Sequence, residues 1–357
     1  MDVLKIVILT FSVLAGLDYI LGNRFGLGRE FERGFMLFGT MALTMIGMLV
    51  LTPLLAQWMR PAFAFVSEDL GFDPSILPAS LLANDMGGAP MAMEAAKDPL
   101  TGGFNALVVS SMMGCTISFT IPFALTSKTK YTKQLYLGLL SGIVSIPIGC
   151  FSAGLICKIP LGSLLVDILP LVILSGVIAA GLLLFPNGCI RIFRAVGFAI
   201  KALIIVGLIL GIINFLCKDP LIPVIAPIED GAMVCLNASI VMSGMFPLVW
   251  LLSKLFSRPL HWMGKHIGIN DWAVLGLISS LATSATTFSN LDDMDEKGVT
   301  VNAAFAVCGA FVLASHLAFT MAFEPAYLLP VIVGKLVAGV VSVIIACFMH
   351  RWWSKKA

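Results

Sequence analysis

Charge is what this chain has least of. Only 12% of its 357 residues are Asp, Glu, Lys or Arg, about half the share of a typical soluble domain. A basic face for nucleic acid is excluded, because 22 Lys and Arg stand against 20 Asp and Glu, a net charge of +2. No polar stretch has the length of a soluble domain. No small-residue cleavage site follows the first apolar run, which continues into Asp18. The eight cysteines are scattered without a CxxC pair, so they read as small buried hydrophobes. Glycine-rich phosphate loops, HExxH and G-x-S-x-G are missing too, and no cofactor or metal is indicated. What is present is apolar: 59% hydrophobic residues and a mean hydropathy of +1.01. The lipid bilayer is the solvent this chain is written for.

A helix that crosses the hydrocarbon core needs about 20 apolar residues. Nine runs answer to that: 4–21, 35–55, 103–125, 136–157, 161–185, 195–217, 231–252, 301–322 and 327–350. Two further stretches, 73–97 and 270–297, are apolar but interrupted. The first breaks at Asn84-Asp85-Met86-Gly87-Gly88 and then Pro90. The second breaks at Thr283-Ser284-Ala285-Thr286-Thr287 and at Asn290. Cytoplasmic loops collect Lys and Arg, which decides whether these stretches cross. If both turn back, one side receives fifteen basic residues, Lys128, Lys130, Arg258, Lys265, Lys355 and Lys356 among them. The other receives only Lys5, Arg60, Lys97, Lys158 and Lys218. If both cross, the same charges divide evenly. Two re-entrant hairpins are therefore expected, with the N-terminus outside and the C-terminus cytoplasmic.

The two halves resemble each other. Met45-Ile46-Gly47-Met48 precedes Leu51, Leu54, Leu55 and Arg60-Pro61; Met242-Ser243-Gly244-Met245 precedes Leu248, Leu251, Leu252 and Arg258-Pro259. Asp73 and Asn270 open the two interrupted stretches as N-caps, and Phe119-Thr120 with Phe123 corresponds to Phe319-Thr320 with Phe323. Repeat one covers about 1–158, a connector helix about 159–186 and repeat two about 187–357. Five crossings separate matching elements, so the second copy is inverted. The expected fold is an all-α polytopic membrane protein, an inverted-repeat transporter with two interrupted helical hairpins at its site.

Asp85 is the most informative residue. A charge at membrane depth costs about 2.5–3.5 kcal/mol, so it needs a partner, a proton or a ligand. Met86, Gly87 and Gly88 beside it free backbone and admit a substrate closely. The functional reading is an anionic seat for an amine or cation; the plainer one is a carboxylate capping the hairpin tip. The second break offers neutral oxygens from Thr283, Ser284, Thr286, Thr287, Ser289 and Asn290, which suit a polar solute or Na⁺ or simply bond back to their helix. His316, in the run 301–322, is an intramembrane titratable group or a neutral side chain bonded across a helix interface. Asn302 caps that run or donates to the site. Asp18 and Asp167 read as interface pairs or headgroup neighbours. Glu94 and Asp98 read as a solvated hairpin end. The cluster Asp292, Asp293, Asp295 and Glu296 reads as a solvated loop.

Several segments, in order and over nearly the whole chain, resemble the ethanolamine utilisation permease family (EutH). They include Phe31-Glu32-Arg33-Gly34-Phe35-Met36, Leu81-Leu82-Ala83-Asn84-Asp85-Met86-Gly87-Gly88 and Ser111-Met112-Met113-Gly114-Cys115. The second half adds Ala304-Phe305-Ala306-Val307, His316-Leu317 with Phe319, and Val333-Gly334-Lys335-Leu336. The resemblance implies a bacterial inner-membrane protein that imports ethanolamine for degradation to acetaldehyde and ammonia. It departs at two points: Ser315 stands where the family has Asp before the histidine, and Thr283-Ser284 where the family's second break has Asn. The site expected from the residues is Asp85, Met86, Gly87, Gly88, Ser284, Thr286, Thr287, Asn290, Asn302 and His316, taking ethanolamine or a related small amine, with Na⁺ or H⁺ as the coupling ion where transport is coupled. The sequence leaves homo-oligomerisation open. Alternatives are a coupled carrier of another small polar solute or amino acid, an intramembrane enzyme using Asp85 and His316 on a lipid headgroup, and a sensor or scaffold.

Overall fold

The computed structural model describes residues 3–127, 129–217 and 221–354. Lys128, Lys218, Lys355 and Lys356 of the charge count lie outside the described residues, as do the side chains of Leu252, Arg258, Pro259 and Lys265. The first half contains α1 (Val3–Ile20), α2 (Leu27–Ala64), α3 (Ile76–Leu81), α4 (Gly88–Ala95), α5 (Pro99–Phe104), α6 (Ile121–Thr126) and α7 (Thr132–Ile156). α8 (Leu161–Leu184) follows. The second half contains α9 (Pro186–Leu216), α10 (Ile228–Ile267), α11 (Asp271–Ser280), α12 (Ser284–Ser289), α13 (Glu296–Cys308), α14 (Ser315–Phe323) and α15 (Leu328–Ser354). Among the described residues, seven helical spans are long and apolar enough to cross a membrane. The protein is a multi-pass α-helical membrane protein.

Small residues set the helix crossings, as in bilayers generally. A Cβ on Gly47 of α2 would lie 1.8 Å from the Ile204 carbonyl oxygen of α9, and one on Gly207 would lie 2.0 Å from that of Gly47. The matching glycine of the second half, Gly244 of α10, meets the Ile8 carbonyl of α1 in the same manner, at 2.3 Å. α7 and α15 cross where Gly149 faces Gly334. Leu165, Leu169, Val172, Ile173 and Val177 of α8 are exposed, as a lipid-facing helix requires. Asp18 is buried and caps the turn into α2: its carboxylate accepts from the Phe25 and Gly28 N–H groups, both at 2.9 Å. Among the described residues its partners are these backbone N–H groups and not a basic side chain.

Both interrupted stretches are broken helices whose ends meet. Between α3 and α4, Leu82 and Ala83 are extended, Asn84–Met86 make one tight turn, and Gly87 takes φ +92°. The Asp73 carboxylate accepts from the backbone N–H groups of Lys97 (3.0 Å) and Asp98 (3.2 Å), closing the base. In the second stretch, Asn270 N–H donates to the Asp295 carboxylate at 3.0 Å, and the Asn270 side-chain amide donates to the Asp293 carbonyl at 2.9 Å. Asp295 is thus a tie within the stretch, and Asp292 a tie beyond it: its carboxylate accepts from the Thr129 hydroxyl (2.7 Å) and Lys130 N–H (3.1 Å). These two are not merely solvated.

Non-helical backbone at membrane depth needs partners from the protein or from cavity water. α5 and α6 belong to one 28-residue helical span, Pro99–Thr126, which is π-helical over Asn105–Gly114 and Thr116–Thr120. Ser110 donates to the Leu82 carbonyl at 2.7 Å, and Ala83 N–H donates to the Ser118 hydroxyl at 3.2 Å. The second half solves the problem differently. The run 301–322, expected to be one helix, is interrupted between α13 and α14. There Phe311 N–H donates to the Ser280 carbonyl and Leu313 N–H to that of Leu281, both at 3.0 Å. The span is broken because the carbonyls at the end of α11 are met by backbone donors instead of hydroxyls. Phe311 takes φ +63° to do this.

Candidate functional site

A cavity of about 370 Å³ lies where the two breaks approach each other. The first break contributes Ala83, Asp85 and Met86, the second Ala282 and Thr283, and the α13–α14 interruption Phe311, Ala314, Ser315 and His316. α2 closes one wall with Arg33, Leu37, Thr40, Met41 and Thr44; Cys115, Phe119 and Phe246 complete the lining.

Asp85 is the carboxylate of this cavity, with 16% of its side chain exposed. Its Oδ1 lies 3.8 Å from Nε2 of His316, and Ser315 lines the same cavity. His316 is 1% exposed. Its ring lies 5.1 Å from that of Phe311, which in turn stands edge-on to Phe119 at 5.5 Å. A carboxylate bordered by ring faces is a favourable seat for an ammonium group, held by a charge-assisted hydrogen bond and by the ring quadrupoles. Arg33 is partly exposed at the rim, its guanidinium 4.7 Å from the Phe246 ring centroid and 3.2 Å from Glu30.

Of the residues singled out in the sequence, Asp85, Met86 and His316 meet in the cavity. Seven others do not line it. A Cβ on Gly87 would strike the Met48 side chain at 2.1 Å, and one on Gly88 the Leu82 carbonyl and Ser110 hydroxyl at 2.2 Å. Both glycines face protein, because the turn must be pressed against α2 and the π-helical segment. Thr287 ties α12 to α11, donating to the Gly276 carbonyl at 2.9 Å and standing 2.7 Å from the Ser280 hydroxyl. Asn302 ties α13 to α11 by donating to the Ala273 carbonyl at 2.9 Å. Ser284 is fully buried outside the lining, Thr286 is exposed, and Asn290 ends α12.

The cavity also contains residues that sequence reasoning did not select. Ser315 stood out only as a departure from the family pattern, and Thr283 only as a member of the polar break. Thr40 and Thr44 sit one helical turn apart in an apolar run, a spacing that could have marked them. Lys335 is buried beside the site, 1% exposed, with its Nζ donating to the Ser111 carbonyl at 2.7 Å.

Comparison with known proteins gives a uniform result. Residues 1–349 match the family described as "Ethanolamine utilisation protein, EutH". The chain is 40% identical over 356 residues to "Probable ethanolamine permease EutH" of Listeria monocytogenes, covering 99% of this chain and 95% of that one. It is 36% identical to "Uncharacterized protein YxeR" of Bacillus subtilis, at 99% and 96% coverage. It is 35% identical to "Probable ethanolamine permease EutH" of Salmonella typhimurium, at 98% and 95% coverage. No solved structure matches.

Proposed function

The chain belongs to the EutH ethanolamine utilisation family, and on that premise we propose that it is a permease that takes up ethanolamine across the bacterial inner membrane. The observation that carries this reading is the partly exposed Asp85 carboxylate in a ring-lined cavity between two helix breaks. Ethanolamine is a short alcohol with a primary amine, protonated at neutral pH. Its ammonium would sit on Asp85 between Phe119 and Phe311, with its hydroxyl toward Thr283, Thr40 or Thr44.

The transport route follows from the topology. The inverted-repeat reading, with repeats about 1–158 and 187–357, is supported by the matched crossings of Gly47 on α9 and Gly244 on α1. Re-entrance of the first stretch is supported by its closed base, where the Asp73 carboxylate meets the Lys97 and Asp98 N–H groups, and re-entrance of the second by loop contacts. If the second stretch crossed the membrane, Thr129 and Asp292 would lie on opposite sides, yet they are 2.7 Å apart. The same holds for the Leu100 carbonyl and the Tyr327 hydroxyl, 3.1 Å apart. With the charge distribution, this favours an outside N-terminus and a cytoplasmic C-terminus. One repeat would then rock against the other, opening the cavity to each side in turn.

Uptake of labelled ethanolamine into proteoliposomes at acidic external pH tests the proposal. Saturable uptake is expected in the wild type, and loss of at least 90% of it in Asp85→Asn, about 1.4 kcal/mol or more of lost stabilisation. Equal uptake by both proteins would remove Asp85 from the site. The 3.8 Å approach of His316 to Asp85 favours one second reading, headgroup chemistry within the membrane. Chemical conversion of labelled substrate by the purified protein would establish that reading, and recovery of unchanged label would exclude it.

A further inference from the structure

Lys335 has no role in the site described so far, although its burial demands an account. It lies in α15, where that helix crosses α7 beside Gly334. Among the described residues its Nζ donates to the Ser111 carbonyl, and no carboxylate lies within ion-pair distance of it. A lysine ammonium fully out of water and without a direct counter-ion is costly. The titratable groups that face it from the packed elements are three neutral thiols and one carboxylate: Cys115 beside Ser111, Cys308 of α13, Cys150 of α7, and Asp85 at the hairpin tip. His316 of α14 is the other titratable group of this region. Cys115 lines the cavity, so Lys335 stands immediately behind the wall that carries the substrate seat.

We propose that Lys335 is the exchange partner of the amine: its ammonium compensates Asp85 in the empty site, and its proton is released when a substrate ammonium takes its place. This rests on the amine reading of the site. The charge balance is explicit. The empty site holds Asp85 carboxylate and Lys335 ammonium, and is neutral. Arrival of a substrate ammonium would leave one excess positive charge in a region that hydrates it poorly. Loss of one proton from the Lys335 Nζ to water restores neutrality, leaving an Asp85–ammonium pair and a neutral amine at Lys335. Lysine is suited to this because burial readily makes it give up its proton. On release of the substrate inside, Lys335 takes a proton from that side and carries it back. The cycle moves one ammonium inward and one proton outward, with no net charge.

Two measurements test this. Titration calorimetry with ethanolamine hydrochloride in buffers of different ionisation enthalpy counts protons released per amine bound. About one proton per ammonium is expected from the wild type. None is expected from Lys335→Gln, which should still bind amine. Lys335→Arg keeps the charge but cannot release it, so it should bind amine weakly and release no proton; it also reports on the proposal if the glutamine variant fails to fold. Amine binding by the wild type without proton release overturns the exchange and leaves the amine site standing. Equal proton release by wild type and either Lys335 variant overturns the role of Lys335. Absence of amine binding in the wild type overturns the functional reading itself.

The second measurement needs no variant. In proteoliposomes with equal pH on both sides, an imposed inside-negative potential of about 100 mV would concentrate a singly charged uniported substrate about fifty-fold. Electroneutral exchange predicts no accumulation under that potential, and accumulation when the lumen is made acidic. Potential-driven accumulation without a response to lumenal pH overturns the proposal.

Discussion

Gly87 and Gly88 stand next to Asp85 in the chain but are pressed against protein, while Asp85 lines the cavity, and substitutions should separate the two. A methyl group on Gly88 has no room between the Leu82 carbonyl and the Ser110 hydroxyl. Gly88→Ala should therefore destabilise the folded protein by about 1–3 kcal/mol, read as a lower thermal midpoint in detergent. Asp85→Asn should leave that midpoint nearly unchanged. Ser315 lines the cavity with Asp85, and a hydroxyl able to hydrogen-bond there is worth about 1 kcal/mol. Ser315→Ala should weaken amine binding about fivefold, measured by the same titration. Asp98, at the base of the first stretch, accepts from Thr101 N–H at 2.8 Å. That bond holds its carboxyl below the usual value, so its stabilising share is present above the unfolded value and is lost as pH falls through the lower folded one. Asp98→Ala should lower the thermal midpoint at pH 7 and bring no further loss of this share on acidification.

At the scale of elements, the two breaks were legible because Asn-Asp-Met-Gly-Gly and Thr-Ser-Ala-Thr-Thr disrupt apolar runs that otherwise read as spans. What satisfies them was not. Periodicity cannot reveal that Ser110 reaches Leu82 across 28 positions, or that Phe311 pairs its backbone with Ser280. The run 301–322 accordingly read as continuous, since Ala310, Phe311, Val312 and Leu313 are as apolar as any helix. Lys335 was visible only as a cation inside a span, because its neighbours Ser111, Cys115 and Cys308 lie far off in sequence. Thr287 and Asn302 stand out as polar residues in apolar runs, and the structure ties them to α11 outside the cavity lining. Ser110→Ala tests the satisfaction of the first break directly. It leaves the buried Leu82 carbonyl without that donor, and a loss of about 1–3 kcal/mol is expected in the thermal midpoint, together with slower uptake.

At the scale of the whole molecule, paired crossings make the two halves depend on each other. Gly47→Val and Gly244→Val should each drive apart a crossing of the same kind, and comparable losses of folded protein are expected on gel filtration in detergent. Single cysteines introduced in a cysteine-free background test the orientation. An impermeant thiol reagent outside the cell should label position 158 and spare position 133. The closed bases of the two interrupted stretches have a consequence for biogenesis. α3, α4, α11 and α12 are too short to span a bilayer, and their unwound joints cannot face lipid. The residues that shelter them come later in the chain: Ser110 and Ser118 for the first, Phe311 and Leu313 for the second. On the re-entrant topology proposed above, each stretch is expected to wait at the membrane surface until the following segment has been translated, and only then fold inward. A ribosome-stalled chain ending soon after Asp98 should leave 73–98 open to protease, whereas one long enough to expose all of α6 should protect it.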